Sequence, residues 1–361
     1  MRLKQEMQAA STLGDVIARA ECLLEERQLR AAIATFDEAE TRGADPDGCC
    51  AARWLASMLQ GDFQAAWAQS DAIRQRGGDD PSRFWMGEDL QGKRVIVRCL
   101  HGFGDAIQFL RYLPRLRALA SEVIVEVSPR MLELAPMLDG VGEWITWGAE
   151  RLAPEPQWDV QVEVMELPYL FRTQLAELPI AVNYLRPPTA DVDEATACMG
   201  RCRETLRLGL VWSAGEWNTT RSIPISCLEP LLRVSGAEFW SLQGGAAASE
   251  AQPWMDAGLM RDAAICGGGQ RALAAVVANL DLVITVDTLA AHLAGAMGRP
   301  VWVLLQHAAD WRWMTDRSDS PWYPRMRLFR QPASVAAWQE TVDKVRAELL
   351  RLLDATGHGR V

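Results

Sequence analysis

Residues 95–106 decide the fold, because the apolar run VIVRCL is followed at once by HGFGDA. The run is typical of a buried strand, and its two following glycines permit a tight turn into an amphipathic segment from about residue 105 to 119. The same pattern predicts further strands at 123–127, 144–147, 158–162, 208–212, 238–242, 282–286 and 300–305. Short apolar runs that alternate with helical segments indicate an α/β protein with parallel sheets.

The length of the chain indicates several domains, since 361 residues exceed what one hydrophobic core usually serves. Hydrophobic residues make up 49% and charged residues 23%, as in a globular protein. The stretch 185–193 reads as a linker, because it contains Pro187-Pro188 and acidic residues. We predict a helical module at 1–80, α/β domains at 85–186 and 194–331, and within 332–361 a closing helix that packs across the domains.

The first eighty residues read as paired helices. The hexapeptides at 27–32 and 61–66 superimpose at a separation of 34 residues, which is the tetratricopeptide period. Ala32 and Ala66 are small enough for paired helices to approach closely, and Asp45-Pro46 marks the turn between units. Two units are fewer than a free-standing repeat array needs, so we expect this module to pack on the next domain.

The chain is acidic, with 37 Lys and Arg against 47 Asp and Glu, a formal charge of -10 and a pI near 5.1. We therefore expect no long-range attraction to nucleic acid or anionic lipid. A bound phosphate would be met locally, by single arginines and by helix N-termini. The sequence has no apolar run of the ~18 residues that cross a bilayer and begins without the apolar stretch of a signal peptide, so we predict a cytoplasmic protein.

The cysteines are expected to be reduced thiols in that compartment. There are eight of them: Cys22, Cys49, Cys50, Cys99, Cys198, Cys202, Cys227 and Cys266. Cys198 and Cys202 are spaced as C-x3-C, but neither a second pair nor a histidine cluster accompanies them. We therefore do not expect a zinc site.

The first candidate site follows the predicted strand at 95–100. Gly102 and Gly104 permit close backbone approach, and Asp105 arrives at the carboxyl edge of the sheet, where open α/β sheets bind ligands. A glycine turn with an aspartate also fits an ordinary turn with an N-cap. The turn alone therefore leaves both interpretations open.

The second candidate follows the predicted strand at 282–286. Asp287 and Thr288 occupy the N-cap region of a helix, whose free N–H groups can bind a diphosphate. His292 lies one turn beyond Thr288 and so faces the same side. The alternative is a plain helix cap with a buried structural histidine.

The third candidate is the loop after the predicted strand at 208–212. Ser213, Thr220 and Arg221 place hydroxyls and a fixed positive charge there. An arginine suits bidentate contact with a phosphate, although in an acidic protein it could equally serve as a salt-bridge partner.

Together these segments resemble the family 9 glycosyltransferases, the group of the bacterial lipopolysaccharide heptosyltransferases. The chain is more closely similar to a bacterial subgroup in which tetratricopeptide repeats precede the family 9 domain. The resemblance spans about residues 85–331 and rests on these phrases: GFGDAIQF at 102–109, RSIP at 221–224, LDLVITVDT at 280–288, HLAGA at 292–296 and DWRW at 310–313.

The resemblance implies a GT-B fold, in which two Rossmann-like domains face a cleft, with the first binding an acceptor and the second a nucleotide-sugar donor such as ADP-heptose or a UDP or GDP sugar. It implies inverting transfer to a glycan or protein acceptor, with the tetratricopeptide-like module as a possible acceptor-binding element. Asp105 matches the family's proposed general base. Arg221, Thr288 and the helix N-terminus would meet the charge of the leaving diphosphate without a metal or other cofactor, and Asp287 and His292 would shape the donor side.

Trp212, Gln243 and Trp311 are further candidates for lining the cleft, where the indole rings could stack on a base or a sugar. Two positions depart from the family pattern: Leu289 stands where glycine is common, and residues 306–310 replace the usual Gly-Pro-Thr segment. The pattern therefore does not specify the donor sugar.

Three alternatives remain. The chain could be a catalytically inactive scaffold that only binds proteins, although Asp105, Arg221 and Asp287 argue against it. It could be an NAD(P)-dependent enzyme or an epimerase, but HGFGDA lacks the third glycine of G-x-G-x-x-G. Asp191-Val192-Asp193 has the form of the metal-binding DxD of the other major glycosyltransferase fold, but it lies in the predicted linker, away from any strand end.

Overall fold

The computed structural model describes residues 12–77, 82, 84–148, 156–178, 183–200, 204–333 and 338–358. The chain divides into two compact units. The smaller one comprises Met1–Ser82, Tyr169–Leu178 and Ala308–Arg317, and the larger one comprises the remaining segments. Both predicted α/β domains therefore contribute to the same compact unit.

The smaller unit is built on four helices: α1 (Leu13–Glu25), α2 (Leu29–Thr41), α3 (Pro46–Gln60) and α4 (Phe63–Gly77). Asp45 accepts a hydrogen bond from Gly48 N at 2.7 Å, and Pro46 lies at the start of α3, as expected of a capped helix. The α2 and α4 helices begin 34 residues apart, at the spacing of the sequence repeat. The tetratricopeptide class of this unit stays a prediction.

Two segments from the α/β part of the sequence, Tyr169–Leu178 and Ala308–Arg317, complete the smaller unit. The indole N–H of Trp67 donates to the carbonyl of Thr173 at 2.8 Å. The ring of Trp54 packs edge-on against that of Trp311, with centroids 5.4 Å apart. These contacts bury aromatic surface that the four helices would otherwise expose.

The larger unit contains two parallel sheets. The first has the order β3-β2-β1-β4, with β1 (Arg94–Arg98), β2 (Glu122–Val127), β3 (Glu143–Thr146) and β4 (Val160–Glu163). Its helices are α5 (Phe103–Phe109), α6 (Leu113–Arg117) and α7 (Leu167–Leu170). The predicted helix at 105–119 is thus in two pieces, because a 3-10 turn intervenes at Leu110–Tyr112 just before Pro114, which has no N–H to donate.

The second sheet has the order β10-β9-β8-β5-β6-β7. Its strands are β5 (Leu206–Val211), β6 (Ala237–Ser241), β7 (Arg261–Asp262), β8 (Leu282–Val286), β9 (Val301–Leu305) and β10 (Met326–Arg330). Counted from β5, this is the dinucleotide-fold order 3-2-1-4-5-6, in which the direction of strand addition reverses between β5 and β8. The sequence did not predict β7 or β10.

The helices of the second half are α8 (Thr189–Met199), α9 (Glu229–Leu232), α10 (Gln252–Asp256), α11 (Gly269–Ala278), α12 (Leu289–Ala296) and α13 (Gln339–Thr356). Short 3-10 turns lie at Pro129–Met137, Val164–Glu166, Leu175–Glu177, Glu216–Arg221, Ile225–Leu228, Ala246–Ala251, Ala263–Cys266 and Trp311–Trp313.

Two predictions concern the ends of this half. The supposed linker at 185–193 already contains the start of α8, and there Asp191 forms an ion pair with Arg271, a structural use for the first acid of the DxD. The buried face of the closing helix α13 belongs to the second α/β domain, and its packing across both domains stays a prediction. Val342, Val345 and Leu349 lie in the core of the second sheet, because the apolar stripe of α13 matches that face.

The expectation of reduced cysteines was wrong for one pair. Cys198 at the end of α8 forms a disulfide with Cys266, which precedes α11. The packing of α8 on α11 brings together two thiols that are 68 residues apart in sequence. Cys202 lies outside the described residues. Disulfides are uncommon in reducing compartments, so this one does not support a cytoplasmic location. The cytoplasmic location stays a prediction.

Across the part of the chain that the structure describes, no helix combines the length and apolarity that a membrane crossing requires.

Candidate functional site

Both sheets place polar residues where the direction of strand addition reverses. In the first sheet this point lies between β1 and β4, and the turn at 101–105 follows β1 there. In the second sheet it lies between β5 and β8, which lead into Arg221 and into Asp287-Thr288. Crevices at such points are the usual ligand sites of open α/β sheets.

The turn after β1 begins α5 and carries the half-buried Asp105. One carboxylate oxygen of Asp105 accepts a hydrogen bond from the backbone N–H of Gly102 at 3.0 Å. This bond caps the helix and fixes the orientation of the carboxylate. The structural interpretation of Asp105 as a helix cap is therefore observed, whereas its chemical role stays a prediction.

Gly104 brings this turn against the second half of the unit, because α5 packs on α12. A Cβ atom at Gly104 would lie 2.6 Å from Cδ2 of His292, closer than real Cβ contacts. The absence of a side chain at this position therefore lets the residue before Asp105 touch the imidazole of His292. The sequence predicted both residues as site candidates but not their contact.

His292, Asp287 and Arg221 form a continuous run of charged and polar groups. Nε2 of His292 lies 3.9 Å from one oxygen of Asp287, and Nη1 of Arg221 lies 3.6 Å from the other. All three side chains are largely buried, which strengthens the attraction between the carboxylate and the guanidinium. This run extends from the Asp105 turn to the loop after β5.

Thr288 is the N-cap residue of α12, but its side chain makes no capping bond. Its hydroxyl lies 3.0 Å from that of Thr285. The first amides of α12 are therefore not occupied by their own N-cap side chain and carry the positive end of the helix dipole. An anion would be stabilised at this position.

The loop after β5 is held in place by the amide of Gln243. Oε1 of Gln243 accepts from the backbone N–H groups of Trp212 and Ser213 at 3.1 and 2.9 Å, and its Nε2 donates to the carbonyl of Ser213 at 3.1 Å. The hydroxyl of Ser222 accepts from Ala214 N at 3.0 Å. Gln243 and Ser222 thus position the segment that leads to Arg221.

The three other candidates have the following surroundings. The ring of Trp212 is 0% exposed in the core, and its N–H donates to Glu250 at 3.1 Å, so it has no face open for stacking. Trp311 belongs to the smaller unit, where it packs on Trp54. Thr220 is exposed and donates to Asn218 at 2.6 Å. Burial depends on tertiary packing, which the spacing of tryptophans does not reveal.

Sequence reasoning missed a group of ionisable residues at the same edge of the first sheet, where the turn at 164–166 packs on α5. Glu163 ends β4, and one of its carboxylate oxygens lies 3.9 Å from Nε2 of His101. Burial raises the pKa of Glu163 and of Glu166 above the ordinary value. The backbone N–H of Met165, which donates to the Glu163 carboxylate at 2.6 Å, opposes the shift at Glu163. The position of Glu163 at the end of a predicted strand was the signal that could have identified it.

The same edge of the first sheet exposes apolar side chains. Leu100 is 53% exposed and Trp147 is 38% exposed. The indole N–H of Trp147 donates to the carbonyl of Cys99 at 3.2 Å, which fixes the orientation of the ring. A fixed, exposed indole can stack on the apolar face of a sugar ring.

Sequence reasoning also missed Tyr323 and Arg111. The hydroxyl of Tyr323 lies 3.0 Å from Nδ1 of His292. The guanidinium of Arg111 lies 4.7 Å from the centroid of the Tyr323 ring. No sequence pattern links these three positions, because they come from separate elements.

Within the described ranges, no cluster of three or more His, Cys, Asp or Glu side chains is placed to hold a metal ion.

The chain has a detectable relative by sequence. Protein FlbA of Caulobacter vibrioides is 24% identical over 367 aligned residues, which cover 92% of this chain and 60% of FlbA. The chain thus spans about 60% of the length of that relative. No family model matches the chain.

The solved structures that resemble the present one include two with a TM-score above 0.5. The ADP-heptose lipopolysaccharide heptosyltransferase II of E. coli is 13% identical, with a TM-score of 0.54 over 73% of this chain and 99% of that one. A family 9 glycosyl transferase from Veillonella parvula is also 13% identical, with a TM-score of 0.51 over 74% and 90% of the two chains. At these identities the likeness concerns the fold. The chain therefore has an α/β fold of the GT-B type, with two Rossmann-like sheets and an added N-terminal helical module, as the order of its strands independently indicates.

Proposed function

We propose that this protein is an inverting, metal-independent glycosyltransferase that moves a sugar from a nucleoside-diphosphate sugar to a hydroxyl group of an acceptor. The observation that carries the proposal is the continuous run from the Asp105 turn through His292 and Asp287 to Arg221. In the proposal, Asp105 at one end of this run takes up a proton, and the groups at the other end bind a diphosphate. The fold shared with family 9 structures supports the same activity.

The chemistry assigns opposite tasks to the two ends of this run. The acceptor oxygen would form a bond to the anomeric carbon from one face, while the bond to the diphosphate breaks on the other, so the configuration inverts. Asp105 would take the proton of the acceptor hydroxyl. Arg221 and the N-terminus of α12 would stabilise the charge on the leaving diphosphate, which makes a metal unnecessary.

The donor would be ADP-heptose or a similar UDP or GDP sugar. The E. coli enzyme of similar fold is an ADP-heptose heptosyltransferase, which supports this choice. The Leu289 side chain after Thr288 would alter how closely the donor phosphates approach α12. We therefore propose a nucleoside-diphosphate sugar as the class of donor substrate. The identity of the sugar is to be determined by experiment.

The acceptor would be a glycan or a protein, bound on the first sheet. The exposed Leu100 and Trp147, together with Glu163 and His101, support this placement, because they join apolar surface to hydrogen-bonding groups at the edge that carries Asp105. The tetratricopeptide-like module would select the acceptor. The enzyme would act in the cytoplasm.

Titration of the intrinsic tryptophan fluorescence with ADP, UDP, GDP and NAD tests the proposal. A nucleoside diphosphate should bind more tightly than NAD, because α12 and Arg221 suit a terminal diphosphate. Tighter binding of NAD would favour an oxidoreductase or an epimerase, and no binding of any nucleotide would favour the inactive scaffold. Incubation with a panel of nucleotide sugars, followed by detection of released nucleoside diphosphate, then identifies the donor.

A further inference from the structure

A buried phenol contacts the imidazole at the centre of the proposed site. The hydroxyl of Tyr323 and Nδ1 of His292 are 3.0 Å apart, and the two residues are 1% and 5% exposed. Tyr323 comes from the loop before β10, which the sequence analysis did not connect with the site. The short, buried contact requires one of the two atoms to donate a hydrogen to the other.

The ring of Tyr323 is fixed from two sides. The guanidinium of Arg111 lies over it at 4.7 Å, and Arg111 is itself held by the carbonyls of Gln108 and Trp322 at 2.7 and 2.5 Å. A Cβ atom at Gly295 would lie 2.6 Å from the ring, so α12 meets the ring closely through this glycine. The phenol is thus held in one place, with its hydroxyl toward His292.

The opposite edge of the imidazole determines which nitrogen carries the proton. Nε2 of His292 lies 3.9 Å from a carboxylate oxygen of Asp287. A lone pair on Nε2 would face that negative charge unfavourably, whereas an N–H would be attracted to it. The environment therefore favours the neutral Nε2–H tautomer, which leaves Nδ1 as an acceptor.

We propose that Tyr323 is a positioning residue that donates a hydrogen bond to Nδ1 of His292 and thereby holds the Nε2–H group of His292 against Asp287. Asp287 in turn is held between His292 and Arg221 on the donor side. The tautomer follows from the local contacts alone, whereas its consequence for sugar transfer rests on the proposed function.

The ionisation of the phenol is consistent with a donor role. Burial raises the pKa of Tyr323 well above its ordinary value, and the charge of Arg111 opposes the shift only in part. Tyr323 therefore keeps its proton at neutral pH. The hydroxyl of Tyr184 donates to the carbonyl of Ile107 at 2.8 Å and is also hydrogen-bonded to the hydroxyl of Tyr323. Tyr184 therefore competes with His292 for the proton of Tyr323, and the tautomer of His292 distinguishes the two acceptors.

Nitrogen-15 NMR of histidine-labelled full-length protein, at mildly alkaline pH, tests the tautomer directly. The chain has 4 histidines, so the variants H101Q, H307Q and H358Q assign the signals of His292 by elimination. The expected spectrum has an unprotonated Nδ1, which resonates far downfield, and a protonated Nε2. A protonated Nδ1, or protons on both nitrogens, would overturn the proposal.

The variant Y323F removes the hydroxyl and keeps the ring. We expect the Nδ1 signal of His292 to move toward the protonated position, and kcat/KM for the donor to fall about three- to tenfold, the effect of one buried neutral hydrogen bond, with the acceptor KM unchanged. Y169F, which removes a hydroxyl bonded to Asp71 in the smaller unit, is the matched control and should change neither.

The possible failures are distinguishable. An unchanged His292 spectrum in Y323F would overturn the hydrogen bond. A changed spectrum with unchanged donor kinetics would overturn the positioning role. If the wild-type protein transfers no sugar but its His292 spectrum is as expected, the proposed function fails and the tautomer assignment stands.

Discussion

The turns after β1 and β8 are built alike, each joining a buried strand directly to a helix, but they use their carboxylates in opposite ways. After β1, Asp105 accepts a bond from Gly102 N, so negative charge lies on the start of α5. After β8, Asp287 turns instead toward Arg221 and His292, and Thr288 leaves the first amides of α12 uncapped by its side chain.

This difference assigns the two turns to different chemistry. A helix start that already carries a carboxylate repels a phosphate but can take a proton. A helix start whose nearby carboxylate is balanced by an arginine attracts an anion. The comparison thus predicts that substitutions after β1 affect the chemical step, whereas substitutions near β8 affect donor binding.

The substitution with the largest expected effect is D105N. The asparagine oxygen can still accept from Gly102 N, so the turn should keep its fold, but the amide cannot take a proton. We expect kcat for transfer to fall about 10²- to 10⁴-fold, with the Kd for the nucleoside diphosphate unchanged. D262N is the matched control, because Asp262 also caps a helical turn, by accepting from Ala264 N. Weaker nucleotide binding in D105N would contradict the division between the turns.

The variant R221Q should give the converse result. It removes the charge that faces Asp287, and a charge-assisted hydrogen bond to a phosphate contributes about 1.5–3 kcal/mol. The Kd for the nucleoside diphosphate, measured by calorimetry, should therefore rise about 10- to 100-fold. R233Q, which alters an exposed arginine paired with Glu229, should leave the Kd unchanged. An unchanged Kd in R221Q would remove the phosphate site from this loop.

The variant G104A tests the contact that joins the turns. The added methyl group would lie 2.6 Å from the imidazole of His292, so α5 or His292 must shift. We expect the free energy of unfolding, measured with urea, to fall by about 1–3 kcal/mol. G244A is the matched control, since a Cβ atom there meets nothing within 4 Å and its φ is not positive. Equal free energies of unfolding for G104A and G244A would show that the packing of residue 104 on His292 can accommodate a methyl group.

The strands of the site could be predicted from sequence because their apolar runs are short and bounded by glycine or by charge. β8 has the predicted bounds, whereas β1 begins one residue before the predicted run at 95–100 and ends two residues before its end. β7 could not be predicted, since two charged residues carry no strand pattern. β10 contains two arginines among its five residues, so its apolar pattern predicts a strand only weakly.

The missing parts of the site are contacts between distant positions. The disulfide from Cys198 to Cys266 and the bond from Tyr323 to His292 depend on how helices pack, and a single sequence does not encode which side chains then meet. Trp212 could not be recognised as a core residue for the same reason. Residue types and strand ends thus predict where a site lies, and packing decides which residues compose it.

The smallest effect is expected for E163Q. This variant tests whether the ionised Glu163 carboxylate lowers the free energy of unfolding. Burial raises the pKa of Glu163, so the folded state favours the protonated acid. Its contribution to stability is complete below the ordinary pKa of glutamate and is lost as the pH rises through the folded-state pKa.

Glutamine cannot ionise, so E163Q should match the wild type in acid and exceed its free energy of unfolding at neutral pH by on the order of 1 kcal/mol or less. Urea titrations across this pH range measure the difference, with E177Q at an exposed position as the control. A variant less stable than the wild type at neutral pH would mean that the carboxylate is stabilised by its neighbours. Both turns would then stabilise a charged carboxylate, Glu163 near the first turn and Asp287 at the second. The two turns would differ only in their helix caps.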